Sequence, residues 1–338
     1  MVKKRALALV SGGLDSLLAA KIIENQGLYV EGITFKIGFH KTDFELPKTK
    51  RNIKTDQRGA DYFMKKIGIP LNSVDLIDEF RQILLKPRHG YGSNLNPCID
   101  CKAFMVAQAL IFMRENEFDF LVTGEVIGQR PMSQRSDTLP IIAKDSGAGD
   151  LLVRPLSAKL LPPTLPERDG WIDRNQLYNF NGRSRKPQIE LAQELGITEY
   201  PQPAGGCYLT EPDYSRRLQD LLEHRNTGSY SPTDLQLLKI GRHIRPFESA
   251  KLIIAREEAE SNFLRQFKTR FLSLQTFSHT GPLALVDGHL TSSDQKEIAA
   301  KIIARYSQGR DKDSVEVQLN EGINTTTLWV SPFTADEI

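Results

Sequence analysis

The first 125 residues alternate short apolar runs with longer stretches whose apolar positions recur every three to four residues. "RALALV" (5–10) is a continuous apolar run that stops at a glycine pair, and "LDSLLAAKIIENQG" (14–27) has helical spacing and ends at Gly27. "YVEGITF" (29–35), "LNSVDLI" (71–77) and "DFLVTGEV" (119–126) read as strands. "TDQRGADYFMKKIG" (55–68) reads as a helix with Thr55 as N-cap and Gly68 past its end, and "CKAFMVAQALIFMRENEF" (101–118) as a long helix. Strands separated by helices predict an α/β fold, a parallel sheet covered on both faces. Ligands on such sheets bind at the carboxyl ends of the strands.

From 128 to about 170 the pattern turns loop-rich, and a helix returns at "KPQIELAQELGI" (186–197). Residues 213–229 read as one amphipathic helix. "SPTDLQLLKIGRHIRP" then begins a new pattern, continued by "KLIIAREEAESNFLRQF", "GPLALVDG" and "SDQKEIAAKIIARYSQG", which reads as a smaller C-terminal α/β domain. The expected division is 1–229 and 230–338, with the loop-rich segment 128–212 belonging to the first domain. A chain of 338 residues is long enough for more than one core.

Composition narrows the class. Hydrophobic content of 40% and charged content of 25% are those of an ordinary water-soluble protein, and a net charge of +2 means that any nucleic-acid surface must be local. The apolar run after Arg5 is too short for a signal peptide or a membrane span, and so is "MVAQALIFM". Three cysteines are too few for a disulfide framework, so a cytoplasmic protein with available thiols is expected.

Two places carry chemistry. The first is Ser11-Gly12-Gly13-Leu14-Asp15-Ser16, set between a strand and a helix. Glycines let backbone N–H groups approach a ligand, the helix start favours an anion, and Ser11 and Ser16 add hydroxyls. Asp15 beside phosphate implies a Mg²⁺ between them. The stretch resembles the "SGGxDS" pyrophosphate loop of the ATP pyrophosphatase (PP-loop) family, whose fold is of the adenine nucleotide alpha-hydrolase type. The resemblance implies ATP cleavage between the α and β phosphates and adenylation of a substrate oxygen. "VTGEVIGQRPMSQ" (122–134) resembles a TGE…GQ…SQ segment of tRNA 4-thiouridine synthetases, through Thr123, Gly124, Glu125, Gln129, Ser133 and Gln134. By that resemblance the segment lines the nucleotide and target-base pocket.

The second place is cysteine. Cys98 and Cys101 form a C-x-x-C pair, and Cys207 stands alone in "AGGCYLT". Such a pair suits a redox dithiol, a zinc site or an iron–sulfur site, against a background of inert buried cysteine. No His-x₃₋₅-His pair exists to complete a zinc site, and three thiolates suit a [4Fe–4S] cluster with one iron open. "NPCIDCK" resembles the NPxxxCN segment of bacterial tRNA 2-thiouridylases, and "AGGCYLT" their second cysteine region. Cys101 and Cys207 match the reactive pair. Cys98 replaces a common Asp and matches the three-cysteine arrangement of cluster-dependent tRNA thiolases, while Lys102 replaces the usual Asn. The resemblance covers about residues 5–215. With the loop starting at residue 11, the chain is expected to lack the RNA-binding module that precedes it in 4-thiouridine synthetases.

Two basic segments are candidate RNA contacts. One holds Arg183, Arg185 and Lys186, and the other holds Lys239, Arg242, His243 and Arg245. The second faintly resembles the RNA-binding domain of NFACT-type proteins. The expected activity is ATP-dependent sulfuration of a tRNA uridine, with ATP, Mg²⁺ and a [4Fe–4S] cluster as cofactors. Expected partners are tRNA and a sulfur donor, either sulfide or a cysteine desulfurase or carrier; a homodimer is left open and no membrane is involved. Two alternatives stand beside it: a cluster-free persulfide and disulfide mechanism on Cys101 and Cys207, and a non-catalytic RNA-binding protein that keeps an ATP fold.

Overall fold

A computed structural model describes residues 3–50, 58–201, 206–225 and 229–337. The chain divides into two units, Met1–Asp43 with Asp56–Ser215, and Phe44–Thr55 with Arg216–Ile338.

The first unit runs β1 (Arg5–Leu9), α1 (Leu14–Asn25), β2 (Tyr29–Lys36), α2 (Ala60–Lys66), β3 (Leu71–Asp75), α3 (Ile77–Leu85), α4 (Cys98–Glu115), β4 (Phe120–Thr123), α5 (Thr138–Asp145), β5 (Leu152–Val153), α6 (Leu165–Arg168) and α7 (Lys186–Glu194). The five strands form the expected parallel sheet, in the order β3-β2-β1-β4-β5. β1 is central: Ala6 pairs with Val30 on one side and Phe120 on the other, and Leu9 with Ile33 and Thr123. Past Arg5 at its start, its residues are buried alanines and leucines, as a strand covered on both faces requires. Leu17, Leu18, Ile22 and Ile23 of α1 pack with Val30, Phe120 and Leu191 in one core.

The structure corrects three boundaries. The strand expected over 71–77 stops at Asp75, because the Asp75 carboxylate accepts the Ile77 N–H at 3.0 Å and starts α3. That helix was not expected; it buries Ile77, Phe80 and Leu84 at helical spacing. The long helix begins at Cys98, one turn earlier than expected, with the Cys101 N–H closing onto the Pro97 carbonyl at 2.8 Å. α2 starts at Ala60, and the expected cap Thr55 lies outside the described residues.

The second unit contains most of α8 (Pro212–Glu223), then α9 (Pro232–Leu237), β6 (Arg242–Phe247), β7 (Ala250–Ile254), α10 (Glu258–Arg265), β8 (Leu272–Thr276), β9 (Leu283–Gly288), α11 (Ser293–Arg305), β10 (Val315–Glu321) and β11 (Asn324–Val330). Its sheet has the order β11-β10-β8-β9-β7-β6, with every pairing antiparallel. One face packs on α11 through Val315, Val317, Ala300 and Ile303, and the other on α10 through Ile253, Leu285 and Leu264. A segment between β2 and α2 also belongs here: Leu46 packs on the second core, and the Lys50 N–H meets the Glu257 carboxylate at 3.3 Å. Among the described residues, no helix is long and apolar enough to cross a membrane.

Candidate nucleotide and sulfur site

In the first sheet the strand order reverses between β1 and β4, so the loops leaving their carboxyl ends flank the crevice where such sheets take ligands. Gly12 has φ +78°, and a Cβ there would stand 3.2 Å from Ala60 Cα. Gly124, just past β4, is tighter still: a Cβ would lie 2.4 Å from the carbonyl of Asp15. Both glycines are therefore dictated by backbone packing, and the loop after β4 rests on the first turn of α1. No side chain caps that helix at Gly13, which presents its first-turn N–H groups to an anion. The Ser16 hydroxyl turns back to the Gly13 carbonyl at 2.7 Å, and Ser11 is exposed on the rim.

Around this turn lies a set of buried acceptors. Gln129 Nε2 donates to Asp15 Oδ2 at 2.7 Å, and Gln188 Nε2 of α7 donates to Gln129 Oε1 at 3.2 Å. Arg185 stands 3.8 Å from the same Asp15 oxygen. Burial raises the Asp15 carboxyl above its ordinary value, against the lowering pull of Arg185, Gln129, Arg130 and Gln188. Glu125 is fully buried; its Oε2 accepts from Thr123 Oγ1 at 3.0 Å and Arg154 Nε at 2.8 Å. Burial alone would raise Glu125, but Arg154 and Lys102 outweigh it and hold the carboxyl below its usual range. Asp15 Oδ1, Glu125 Oε1, Gln134 Oε1 and Gln188 Oε1 are buried without a hydrogen-bond partner. Unsatisfied buried acceptors call for an explanation, and a cation or a donor-bearing ligand supplies one. The carboxylate oxygens suit Mg²⁺, a hard ion that takes oxygen ligands.

The loop after β4 is tied in place at both ends. The Gly128 N–H bonds to the Gln134 carbonyl at 2.7 Å, and the Gly182 N–H to the Ile127 carbonyl at 2.7 Å. The second bond brings the stretch before α7 beside the loop, which is how Arg185 and Gln188 reach Asp15. Gln188 was not foreseen. A signal existed: it shares the buried face of α7 with Leu191 and Ala192, where a polar residue is out of pattern.

The cysteines share one neighbourhood. Cys98 opens α4 and lies 3.3 Å from Ser133 Oγ, so the C-x-x-C turn touches the loop after β4. The Asp100 carboxylate accepts the N–H groups of Arg88 and His89 at 3.0 Å each, anchoring the chain that leads into α4. Cys207 pairs with His40 in an antiparallel bridge, and the Tyr208 N–H reaches the Phe39 carbonyl at 2.9 Å. This places the remote cysteine just past the carboxyl end of β2. Burial pushes the Cys101 thiol well up, the nearby Cys207 and Cys98 push it further, and Lys102 opposes them. All three are half-buried and none is in a disulfide. Among the described residues, no group of three or more His, Cys, Asp and Glu side chains is arranged to hold a single metal ion.

The candidate RNA contacts are placed differently from one another. Arg183 and Lys186 are exposed, whereas Arg185 turns to Asp15. In the second unit, Arg242 is exposed and lies 4.8 Å from the Tyr306 ring centroid. The Arg245 guanidinium is engaged by Asp220 at 2.5 and 3.0 Å. His243 is half-buried with Nε2 at 3.0 Å from the Ile240 carbonyl; desolvation, then Arg217 and Lys251, hold it well below its ordinary value.

Residues 4–145 match the family model of the tRNA methyl transferase HUP domain. Residues 241–338 match that of the NFACT protein RNA binding domain. The first unit is thus a five-stranded parallel HUP domain, and the second carries the antiparallel sheet of an NFACT-type domain. The chain is 27% identical over 231 residues to a tRNA-specific 2-thiouridylase MnmA of Syntrophus aciditrophicus, covering 65% of this chain and 56% of that one. It is 26% identical over 254 residues to the MnmA of Natranaerobius thermophilus, covering 72% and 65%. It therefore spans little more than half the length of the first of these relatives. A solved 4-thiouridine synthetase–RNA complex with bound ATP aligns over 70% of this chain and 50% of that one, at 20% identity and a TM-score of 0.41. The HUP match contains Asp15, Cys98, Cys101 and Glu125; Arg154, Arg185, Gln188 and Cys207 lie beyond it.

Proposed function

We propose that this chain sulfurates a uridine of tRNA in an ATP-dependent reaction. The observation that carries the reading is one domain holding both a glycine turn with the buried, unpartnered Asp15 Oδ1 and three cysteines gathered around Cys101. The likeness to 2-thiouridylases supports it. The turn at 11–16 binds the phosphates through backbone N–H groups at the start of α1. Asp15, with Glu125 close to the loop, would hold Mg²⁺, which supplies charge neutralisation at the α-phosphate. Arg185 contributes a fixed positive charge on the same side. The uracil carbonyl oxygen attacks the α-phosphorus, the bond to the bridging oxygen breaks, and pyrophosphate leaves. A sulfur nucleophile then adds to the activated ring carbon and AMP departs with the oxygen. The NFACT-type domain holds the tRNA, with Arg242 its exposed candidate phosphate contact, and Arg183 and Lys186 are exposed candidates on the first unit.

Sulfur is delivered at Cys98, Cys101 and Cys207. Their number and shared neighbourhood fit a [4Fe–4S] cluster, because each thiolate of a cubane holds a different iron and no single-ion triad is needed. Such a cluster would supply an open iron as a Lewis acid for sulfide. A second reading draws on the Cys98–Ser133 contact, which gives Cys98 a partner of its own. There, Cys101 accepts sulfane sulfur from a cysteine desulfurase or carrier as a persulfide, whose outer sulfur attacks the activated carbon; Cys207 then attacks Cys101 Sγ, the S–S bond breaks to leave the sulfur on the base, and the Cys101–Cys207 disulfide is reopened by a thiol reductant.

The test is pyrophosphate release and nucleoside mass spectrometry with anaerobically purified protein, iron, sulfide, ATP and tRNA. We expect tRNA-dependent pyrophosphate and a thiouridine product. No pyrophosphate with tRNA bound would leave a non-catalytic RNA-binding protein. Cys98→Ala separates the two sulfur readings: loss of bound iron and of product with sulfide supports the cluster, and full-rate product without iron, with a cysteine desulfurase and cysteine as the sulfur source and a thiol reductant, supports the persulfide.

A further inference from the structure

The side-chain amide of Gln129 has a donating and an accepting end, and both are engaged. Its Nε2 donates to Asp15 Oδ2 at 2.7 Å, and its Oε1 accepts from Gln188 Nε2 at 3.2 Å. An ionised carboxylate only accepts, so Gln129 must present its NH₂ to Asp15. The reversed amide would set two acceptors against each other. Gln188 enforces the same choice from the other end, since its NH₂ meets Gln129 only when the carbonyl end points that way. Gln188 itself is fully buried in α7, and its Oε1 has no partner. An unsatisfied buried acceptor is costly, so packing alone does not account for an amide at that point. The amide therefore marks a role other than packing.

That role lies at Asp15. Gln129 takes one carboxylate oxygen, which leaves Oδ1 buried and unpartnered. Arg185 stands 3.8 Å from Oδ2. Released from Gln129, the carboxylate would turn onto that guanidinium, a strong bidentate partner, and both of its oxygens would be consumed. We propose that Gln188 is a positioning residue which, through Gln129, keeps Asp15 off Arg185 and aims Oδ1 at the cation of the bound nucleotide. The proposal rests on the nucleotide reading given above.

The experiment is calorimetric titration of the full-length protein with ATP, once with Mg²⁺ and once with EDTA. In the wild type, Mg²⁺ should tighten ATP binding. Gln188→Met keeps the length and the helix; it should reduce the Mg²⁺-dependent gain about tenfold and leave binding in EDTA unchanged. Gln188→Glu offers Gln129 only an acceptor, draws its NH₂ away from Asp15, and should lose more of the gain than Met does. It also decides the matter if the Met variant does not fold. An equal loss with and without Mg²⁺ would make Gln188 a structural residue and overturn the proposal, as would variants that behave like wild type. A wild type that binds no ATP would overturn the nucleotide reading itself.

Discussion

Around the turn of the HUP unit, Asp15 Oδ1, Glu125 Oε1, Gln134 Oε1 and Gln188 Oε1 are buried acceptors without partners. In the second unit the buried charges are matched instead. Lys251, 2% exposed, lies 2.9 Å from Asp220 and 3.6 Å from Asp287. Arg245 joins Asp220, and Arg225 bridges Asp287 at 2.7 Å and Asp234 at 3.3 Å. Among the described residues, the unpartnered buried atoms of the second sheet are His243 Nδ1 and Ser273 Oγ, single groups with no carboxylate among them. A buried charge that is fully paired holds its own unit together. A buried carboxylate oxygen left open does nothing for the fold and is available to a ligand. On the proposed function, the open acceptors of one unit await a ligand, while the paired charges of the other hold its own shape.

The comparison breaks most sharply at Asp15. Asp15→Ala removes an open acceptor and leaves the backbone of the turn intact. We expect pyrophosphate release to fall by about 10²–10³-fold or more, with the melting temperature little changed. A variant that keeps wild-type turnover would remove Asp15 from the site and the nucleotide reading with it. The corresponding change in the second unit should do the opposite. Lys251→Met leaves Asp220 and Asp287 with one cation fewer in a buried position and should destabilise that unit by about 3 kcal/mol. Hydrogen exchange at β7 and β9 amides would report the loss, while β1 and β4 amides should keep their protection. Equal loss of protection in both sheets would mean that the two units unfold as one.

Local chemistry made the first unit readable and long-range pairing hid the rest. The turn at 11–16 was legible because glycine, serine and a helix start all act within six residues. The alternation of β-runs and helices predicted the parallel sheet for the same reason. α3 escaped because Asp75, the last residue of β3, turns the chain by accepting the Ile77 N–H, inside what reads as a continuing strand. Residues 44–50 carry no periodicity that would assign them to the second unit. Arg185 reads as one of three neighbouring basic residues, and only the bond from Gly182 to Ile127 shows it turned toward Asp15. The gathering of Cys207 with Cys98 and Cys101 has no signature in spacing; family resemblance suggested it, and the bridge to His40 accounts for it physically. In the second unit, Val315, Val317 and Leu319 alternate as a half-buried strand should, yet β10 and β11 were not expected. Arg245 reads as an RNA contact because its partner Asp220 is 25 residues away.

The smallest expected effect sharpens the same contrast through pH. Burial alone would raise the Asp220 carboxyl, but hydrogen bonds from Arg245 and Lys251, and their charges, bring it down to about 2. In the unfolded chain an aspartate titrates near 3.9, so below about pH 4 the unfolded state takes up its proton first. The stability that Asp220 contributes is therefore complete above about pH 4 and is lost as the pH falls through about 2. Its full size is about 2 kcal/mol, an upper figure because the group is partly solvated. Asp220→Asn cannot titrate and should flatten this part of the acid-denaturation curve of the second unit, at the cost of lower stability near neutrality. Following β7 amides from pH 5 to pH 2 in both proteins measures the difference. If the two curves run parallel, the cluster around Lys251 does not draw its stability from the Asp220 charge, and the matched-charge account of the second unit fails at its centre.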